Sequence, residues 1–261
     1  MGPRCCFFIG VVKDARRAGG RCCPDLEGQD MIEEPPKLTI RRPDRRPTAA
    51  QIKAFRGVPT GFVNDAMEGG AAMGPTIRAL APGVLPDQVA GPALTCGNGP
   101  ADIMATLAAL AFLRDGDVLV AAVAGHQGCA AAGDRVAGMA RNGGAAGFVT
   151  DGPMRDLDGV VKVGMPCWCS GLTPNTPFTT GPGTVGLPVM LGGQRVETGD
   201  MIVADRDGVV VVPFARLDAV IAQLAEVRAL EDALDAEIAN GLAVPDAVRE
   251  WLQSDVVRFV D

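Results

Sequence analysis

Along the middle of the chain apolar residues come in short unbroken runs, and after residue 213 they return every third or fourth position. The runs in QVAGPALTC (ending at Cys96), DVLVAAV (Asp117–Val123), AAGFVTDG (Ala145–Gly152) and MPCWCSG (Met165–Gly171) are bounded by Gly, Pro or Asp and read as buried strands. Helical segments lie between them: Pro100–Arg114, with the proline at its first turn, then DRVAGMARNG, then MRDLDGVVKVG. Thr48 caps a helix over AAQIKAF, and TGFVNDAMEG forms a second short one. Strands alternating with helices at this spacing predict α/β units with at least partly parallel pairing. Beyond Gly171 the pattern shortens into β runs with turn signals at Gly192–Gly193 and Asp207–Gly208, which predict antiparallel pairing. Positions 217, 220, 221, 224, 227, 230, 234 and 238 then trace one helical stripe, and PDAVREWLQS adds a last helix. With no core of its own, that tail must pack on the body or on another subunit. The expected organisation is a poorly ordered extension over 1–46, an α/β core over 47–213 and a helical segment over 214–261.

Composition narrows the function. Hydrophobic residues reach 48% but aromatics only 4%, and tyrosine is absent, so the core closes on Val, Leu, Ile and Met with its elements in near contact. The formal net charge of −7 argues against nucleic acid as a partner, since the one basic cluster, IRRPDRRP (Ile40–Pro47), is broken by prolines. The apolar run CCFFIGVV is too short to span a membrane. Eight cysteines, four of them in two adjacent pairs, match no disulfide framework, and a single histidine with no two-to-four-residue cysteine spacing argues against zinc. Reduced thiols and a cytoplasmic location are expected.

Several motifs have ordinary readings. GPGTVG (Gly181–Gly186) spells a dinucleotide fingerprint, yet no strand enters it and LPVML after it is β-like, so it reads as a loop. His126 sits in a glycine-rich loop as a minor acid–base candidate, with a structural hydrogen bond the commoner role. Lys162, the one lysine within the stretch of alternating strands and helices, reads as exposed, which disfavours imine chemistry. Two stretches carry more: Gly133-Asp134-Arg135-Val136, at a helix start whose free amides and dipole favour a carboxylate or phosphate, and Arg155-Asp156, after the strand to which that helix leads. Loops at the carboxyl ends of neighbouring strands lie side by side, which would let both stretches face one cleft. An arginine fork binds a carboxylate or enolate oxygen, and an adjacent aspartate can hold Mg²⁺. The residues alone leave a second reading equally open, in which Asp156 caps the helix and Arg155 pairs at the surface.

The stretch from about Phe62 to Pro213 resembles the family of 4-hydroxy-4-methyl-2-oxoglutarate aldolases and the regulator of ribonuclease activity A. FVNDAM, GDVLVAAVAG, AGDRVAGMARNGGAAGFVTDGPMRD, GMPCWCSG and VETGDMIVADRDGVVVVP carry the resemblance. It implies an α/β fold, the swivelling β/β/α sandwich, here with a C-terminal helical extension, assembled as a homotrimer or homohexamer with sites between subunits. It also implies that Asp156 ligates Mg²⁺ or Mn²⁺, that Arg155 contacts a 2-oxo acid, and that Gly133, Asp134, Arg135 and Val136 grip its carboxylate. Asp134 matches a position tied to proton transfer through a water, and Glu231 is the nearest match to a carboxylate from a neighbouring subunit's terminal helix. The expected activity is a lyase that cleaves a 4-hydroxy-2-oxo acid to pyruvate, with oxaloacetate decarboxylation accessible at the same site. One position departs from the aldolases: the third residue after Asp156 is Gly159 rather than an acid, and the nearest acid is Asp158. The non-catalytic regulator also carries an early acid, so a protein that binds a partner such as a ribonuclease through its acidic surface is the alternative.

Overall fold

The continuous apolar runs become the parallel centre of a sheet. In chain order the elements are β1 (Leu38–Ile40), α1 (Ala49–Phe55), α2 (Thr60–Ala66), β2 (Arg78–Ala79), β3 (Val89–Asn98), α3 (Met104–Ala109), β4 (Val118–Ala122), α4 (Asp134–Asn142), β5 (Gly147–Thr150) and α5 (Leu157–Val163). They continue with β6 (Cys167–Cys169), β7 (Gly183–Val185), β8 (Val189–Leu191), β9 (Gln194–Val196), β10 (Met201–Ala204), β11 (Val209–Val212), α6 (Leu217–Ala239) and α7 (Asp246–Leu252). The computed structural model describes residues 36–260, and the poor order expected of 1–35 lies outside them.

The sheet runs β1-β7-β3-β4-β5-β6-β2. Strands β3, β4, β5 and β6 pair in parallel, as the alternation of strand and helix predicts. The length of β3 lets it serve two partners: Ala93–Gly97 run beside β4, while Val89–Pro92 pair antiparallel with β10, which forms a hairpin with β11. Successive strand residues point to opposite faces, and β10 and β11 show the result. Ile202, Ala204, Val209 and Val211 face the inner core with Val118, Val120, Val149 and Trp168. Met201, Val203, Val210 and Val212 face outward, where Phe55, Val63 and Leu217 of α1, α2 and α6 cover them. On the far side of the sheet α3, α4 and α5 pack on Leu94, Leu119 and Phe148. Trp168 is fully buried, and its indole N–H donates to the Asp205 carbonyl at 2.7 Å. This is the layered α/β sandwich expected.

Four expectations need revision. Residues 36–46 do not stand apart from the core: β1 pairs in parallel with β7, Arg45 lies 3.2 Å from Glu197, and Arg46 pairs with Asp117. The reason is electrostatic. Asp117 and Asp200 are buried and their carboxyls are pushed up by that burial, against which amides and the guanidinium groups of Arg46 and Arg45 respectively hold the charge. Second, the helix foreseen from Pro100 starts only at Met104, because the Asp102 carboxylate accepts from the Met104 amide at 2.7 Å while its other oxygen holds the amides of Thr180 and Gly181. Third, the later half of GPGTVG is strand β7 rather than loop, since it fills the edge between β1 and β3. Fourth, the stripe on α6 divides: Leu217, Val220 and Leu224 are buried against α1 and α2, while Leu230, Leu234 and Ile238 are exposed.

Candidate active site at the carboxyl ends of β4, β5 and β6

The loops after β4, β5 and β6 converge at one end of the parallel strands. Ala132 bridges Met154, and Met154 bridges Leu172, so three crossover loops form a small parallel ladder beyond the sheet. The Arg155 amide donates to the Ala132 carbonyl at 3.0 Å. This ladder brings Gly133 and Arg155-Asp156 together, as their placement after neighbouring strands predicts.

Gly133 lets the two stretches approach. A Cβ there would lie 2.6 Å from Asp156 Oδ2 and 2.9 Å from Arg155 Cγ. Gly133 occupies the N-cap of α4, and no side chain caps that end. The amides of the first helical turn have no intrahelical acceptor, so they remain donors for an anion. Arg155 Nε lies 3.2 Å from Asp156 Oδ2, and its Nη1 donates to Thr176 Oγ1 at 2.9 Å. Thr176 therefore fixes the fork from the loop after β6. Sequence reasoning missed it, because TPNTP shows only a proline-rich connection.

Asp156 does stand at the N-cap of α5, but its side chain bonds none of that helix's amides. Its backbone is left-handed at φ +57°, a conformation that costs a non-glycine residue on the order of 1 kcal/mol or more. The simple capping reading thus fails. An exposed carboxylate, 46% accessible and held by one ion pair, is instead presented at the mouth of a cavity. Among the described residues no three His, Cys, Asp or Glu side chains converge. A cation here would be held by Asp156 with water and substrate oxygens, a donor set that suits Mg²⁺ and does not suit zinc.

Asp134 starts α4 with its side chain over α5, where a Cβ on Gly159 would lie 2.6 Å from both its Cβ and Oδ2. The departure at position 159 therefore has a physical counterpart: Asp134 uses the space that a side chain on residue 159 would need. Two cavities meet at Arg155 and Asp156. One, of about 40 Å³, is bounded by Gly133–Val136, Ile103 and Pro177, and the other, of about 250 Å³, by Leu157, Leu172, Thr173 and Pro174. Asp102, the neighbour of Ile103, ties the start of α3 to Thr180 and Gly181. Burial works to raise its pKa, yet hydrogen bonds from Met104, Thr180 and Gly181 hold it below the usual carboxylate value.

Other candidates fall away from this site. His126 lies over Gly128, where a Cβ would be 2.7 Å from its Nε2, and it lines neither cavity. Lys162 is exposed in the last turn of α5. Glu231 lies beyond the packed part of α6, on the stretch where Leu230 and Leu234 are exposed, and the role the resemblance implies for it is one across a subunit boundary. Burial pushes the Cys96 thiol up to about 12, so it is a core group and not a nucleophile. A larger open cavity of about 750 Å³ lies elsewhere, along Arg41–Arg46, and contains none of the converging residues. No helix among the described residues is long and apolar enough to cross a membrane.

Comparison with known proteins identifies the family. A protein of Halalkalibacterium halodurans, provisionally named 4-hydroxy-4-methyl-2-oxoglutarate aldolase, is 35% identical over 77% of this chain and 93% of its own. Streptomyces coelicolor RraAS2, described as an unusual member of the RNase ES inhibitor RraA family, superposes with a TM-score of 0.63 at 28% identity, covering 76% of this chain and 99% of that one. The RNA-processing inhibitor RraA of Thermus thermophilis gives 0.54 at 26% identity, over 60% of this chain and 93% of that one. The model of the RraA-like family, Aldolase/RraA, matches residues 60–211, a span that holds Gly133–Val136 and Arg155-Asp156 alike, and the chain belongs to that family.

Proposed function

We propose that this protein is a divalent-cation-dependent lyase that cleaves the C3–C4 bond of a 4-hydroxy-2-oxo acid and releases pyruvate. The observation that carries the reading is the left-handed, uncapped Asp156 presented beside Arg155 at the α4 N-terminus. The amides of Asp134, Arg135 and Val136 receive the substrate carboxylate, and the Arg135 side chain adds positive charge at the same end. The Arg155 fork, steadied by Thr176, donates to the C2 oxygen. As C3–C4 breaks, its electron pair passes into the enolate of pyruvate, and preorganised donors at that oxygen stabilise the charge where it develops. The C4 hydroxyl gives up its proton and becomes a carbonyl, while C3 takes a proton; Asp134, at the edge of the cavity, is the group placed to pass it through water. Mg²⁺ or Mn²⁺ held by Asp156 would supply Lewis-acid stabilisation of the same charge. Oxaloacetate decarboxylation leaves the same enolate and is accessible to the same donors.

Pyruvate release that depends on added Mg²⁺ or Mn²⁺, stops with EDTA and is abolished in Asp156→Ala with the melting temperature unchanged is the expected result. Full activity in Asp156→Ala would remove the aspartate from the mechanism. The alternative, a non-catalytic regulator, is favoured by one observation: Gly159 stands where the aldolases have an acid, and Asp134 fills its space. Absence of cation-dependent turnover on any 2-oxo acid, with retained binding to a ribonuclease, would establish that reading instead.

A further inference from the structure

The loop after β6 contains no helix or strand between Gly171 and Pro182, yet it is pinned along its length. The Met154 amide donates to the Gly171 carbonyl at 2.8 Å and the Thr173 amide to Met154 at 2.9 Å. Further on, the Phe178 amide donates to Ala101 at 2.7 Å and the Ile103 amide to Phe178 at 3.0 Å. Between these ties stands Asn175, which grips the loop after β4 twice. Its backbone carbonyl accepts from the Ala130 amide at 3.0 Å, and its side-chain Nδ2 donates to the Gly128 carbonyl at 2.8 Å.

Thr176 follows directly, and Pro177 after it holds Thr176 to an extended backbone. An anchored residue on one side and a proline on the other leave Thr176 little freedom. Its Oγ1 accepts from Arg155 Nη1 at 2.9 Å, the one hydrogen bond of that guanidinium among the described residues. The other contact of the guanidinium is the ion pair with Asp156, Nε to Oδ2 at 3.2 Å. A cation on Asp156 would draw on the same carboxylate, which leaves Thr176 as the contact that keeps the fork in place. Both Asn175 and Thr176 are exposed. A hydrogen bond that water can replace contributes little to stability, so what these two bonds add is direction.

We infer that Asn175 is a positioning residue that acts on the reaction through Thr176 and Arg155. It ties the loop after β6 to the loop after β4, and the guanidinium is thereby held where charge develops on the C2 oxygen; this rests on the lyase reading above. The three residues act in series. Removing one should make the loss of the next nearly silent, whereas independent sites would add.

The test measures pyruvate release with Mg²⁺ from 4-hydroxy-2-oxoglutarate and from oxaloacetate, beside thermal melts and a crystal structure of Thr176→Val. Thr176→Val, which keeps the shape and removes the acceptor, should lower kcat by ~10-fold and change KM by less than ~2-fold. Thr176→Ser should restore most of that rate. Asn175→Ala should lower kcat by ~3-fold or more, and the double variant with Thr176→Val should stay within ~2-fold of Thr176→Val alone. On an Arg155→Lys background Thr176→Val should cost less than a further ~2-fold. The crystal structure should show the Arg155 guanidinium displaced, with melting temperatures within a few degrees of wild type. Wild-type kcat in Thr176→Val, losses that multiply in the double variants, or a guanidinium that has not moved would each overturn the inference while leaving the lyase reading intact. No pyruvate from either substrate with the wild type overturns the lyase reading, and the part given to Asn175 with it.

Discussion

Replacing Gly133 with alanine tests whether the close approach of the two loops matters to chemistry or only to packing. Its backbone, φ −143° and ψ −167°, is one that alanine adopts without strain. By that measure alone the change should stabilise the fold by ~0.4–1 kcal/mol, because alanine has fewer unfolded conformations to lose. The added methyl, however, would lie 2.6 Å from Asp156 Oδ2 and 2.9 Å from Arg155 Cγ. To reach ordinary contact the carboxylate must retreat by about 0.8 Å, and Arg155 must turn away from Thr176. Both side chains are partly exposed, so the retreat costs little stability. A misplacement of about 1 Å at reacting groups can lower the rate on the order of 10²-fold. The expected outcome is a kcat/KM reduced by ~10²-fold with a melting temperature within a few degrees of wild type. Cation-dependent pyruvate release coupled to NADH oxidation, beside a thermal melt, measures both. Gly61→Ala, which meets nothing within 4 Å, is the control. Wild-type kinetics in Gly133→Ala at unchanged stability would show that the contact between these loops does not set the catalytic geometry, and the reasoning would fail there.

Three further outcomes follow from the same structure. Arg155→Lys keeps the charge and loses the fork to Thr176, so kcat should fall by ~10²-fold while KM changes less, as for loss of one oxyanion donor; steady-state kinetics indistinguishable from wild type would return Arg155 to a surface ion pair worth ~0–1 kcal/mol. Gly159→Ala should gain up to ~1 kcal/mol in helix propensity but force α4 and α5 apart, because its methyl meets the backbone-anchored Cβ of Asp134 at 2.6 Å; a net loss of about 1–2 kcal/mol in urea unfolding is expected, and a net gain would contradict the placement of Asp134. The exposed Leu230, Leu234 and Ile238 of α6 should be covered in a trimer or hexamer; a monomer by light scattering at micromolar concentration would count against this, and against any site shared between subunits.

The local pattern of the sequence determined most of the elements. Unbroken apolar runs mark strands buried on both faces, and β4, β5 and β6 lie within those runs because a parallel sheet covered on two sides needs them. Thr48 and Gln51 form a reciprocal capping box at α1, chemistry complete within four residues. The pairing of Gly133–Val136 with Arg155-Asp156 was legible too, since consecutive parallel strands must bring their carboxyl-end loops together. Contacts distant in sequence were decided only by the tertiary structure. Nothing near Asp102 announces that Thr180 and Gly181 would claim its carboxylate and delay α3, and nothing near Thr176 announces Arg155. The arginines at 45 and 46 read as a loose basic arm until buried Asp117 and Asp200 are seen to need them. Periodicity reports which face of an element is apolar, but it cannot say where along α6 the neighbouring helices end. Only the packing shows that the stripe is covered as far as Leu224 and left open beyond it.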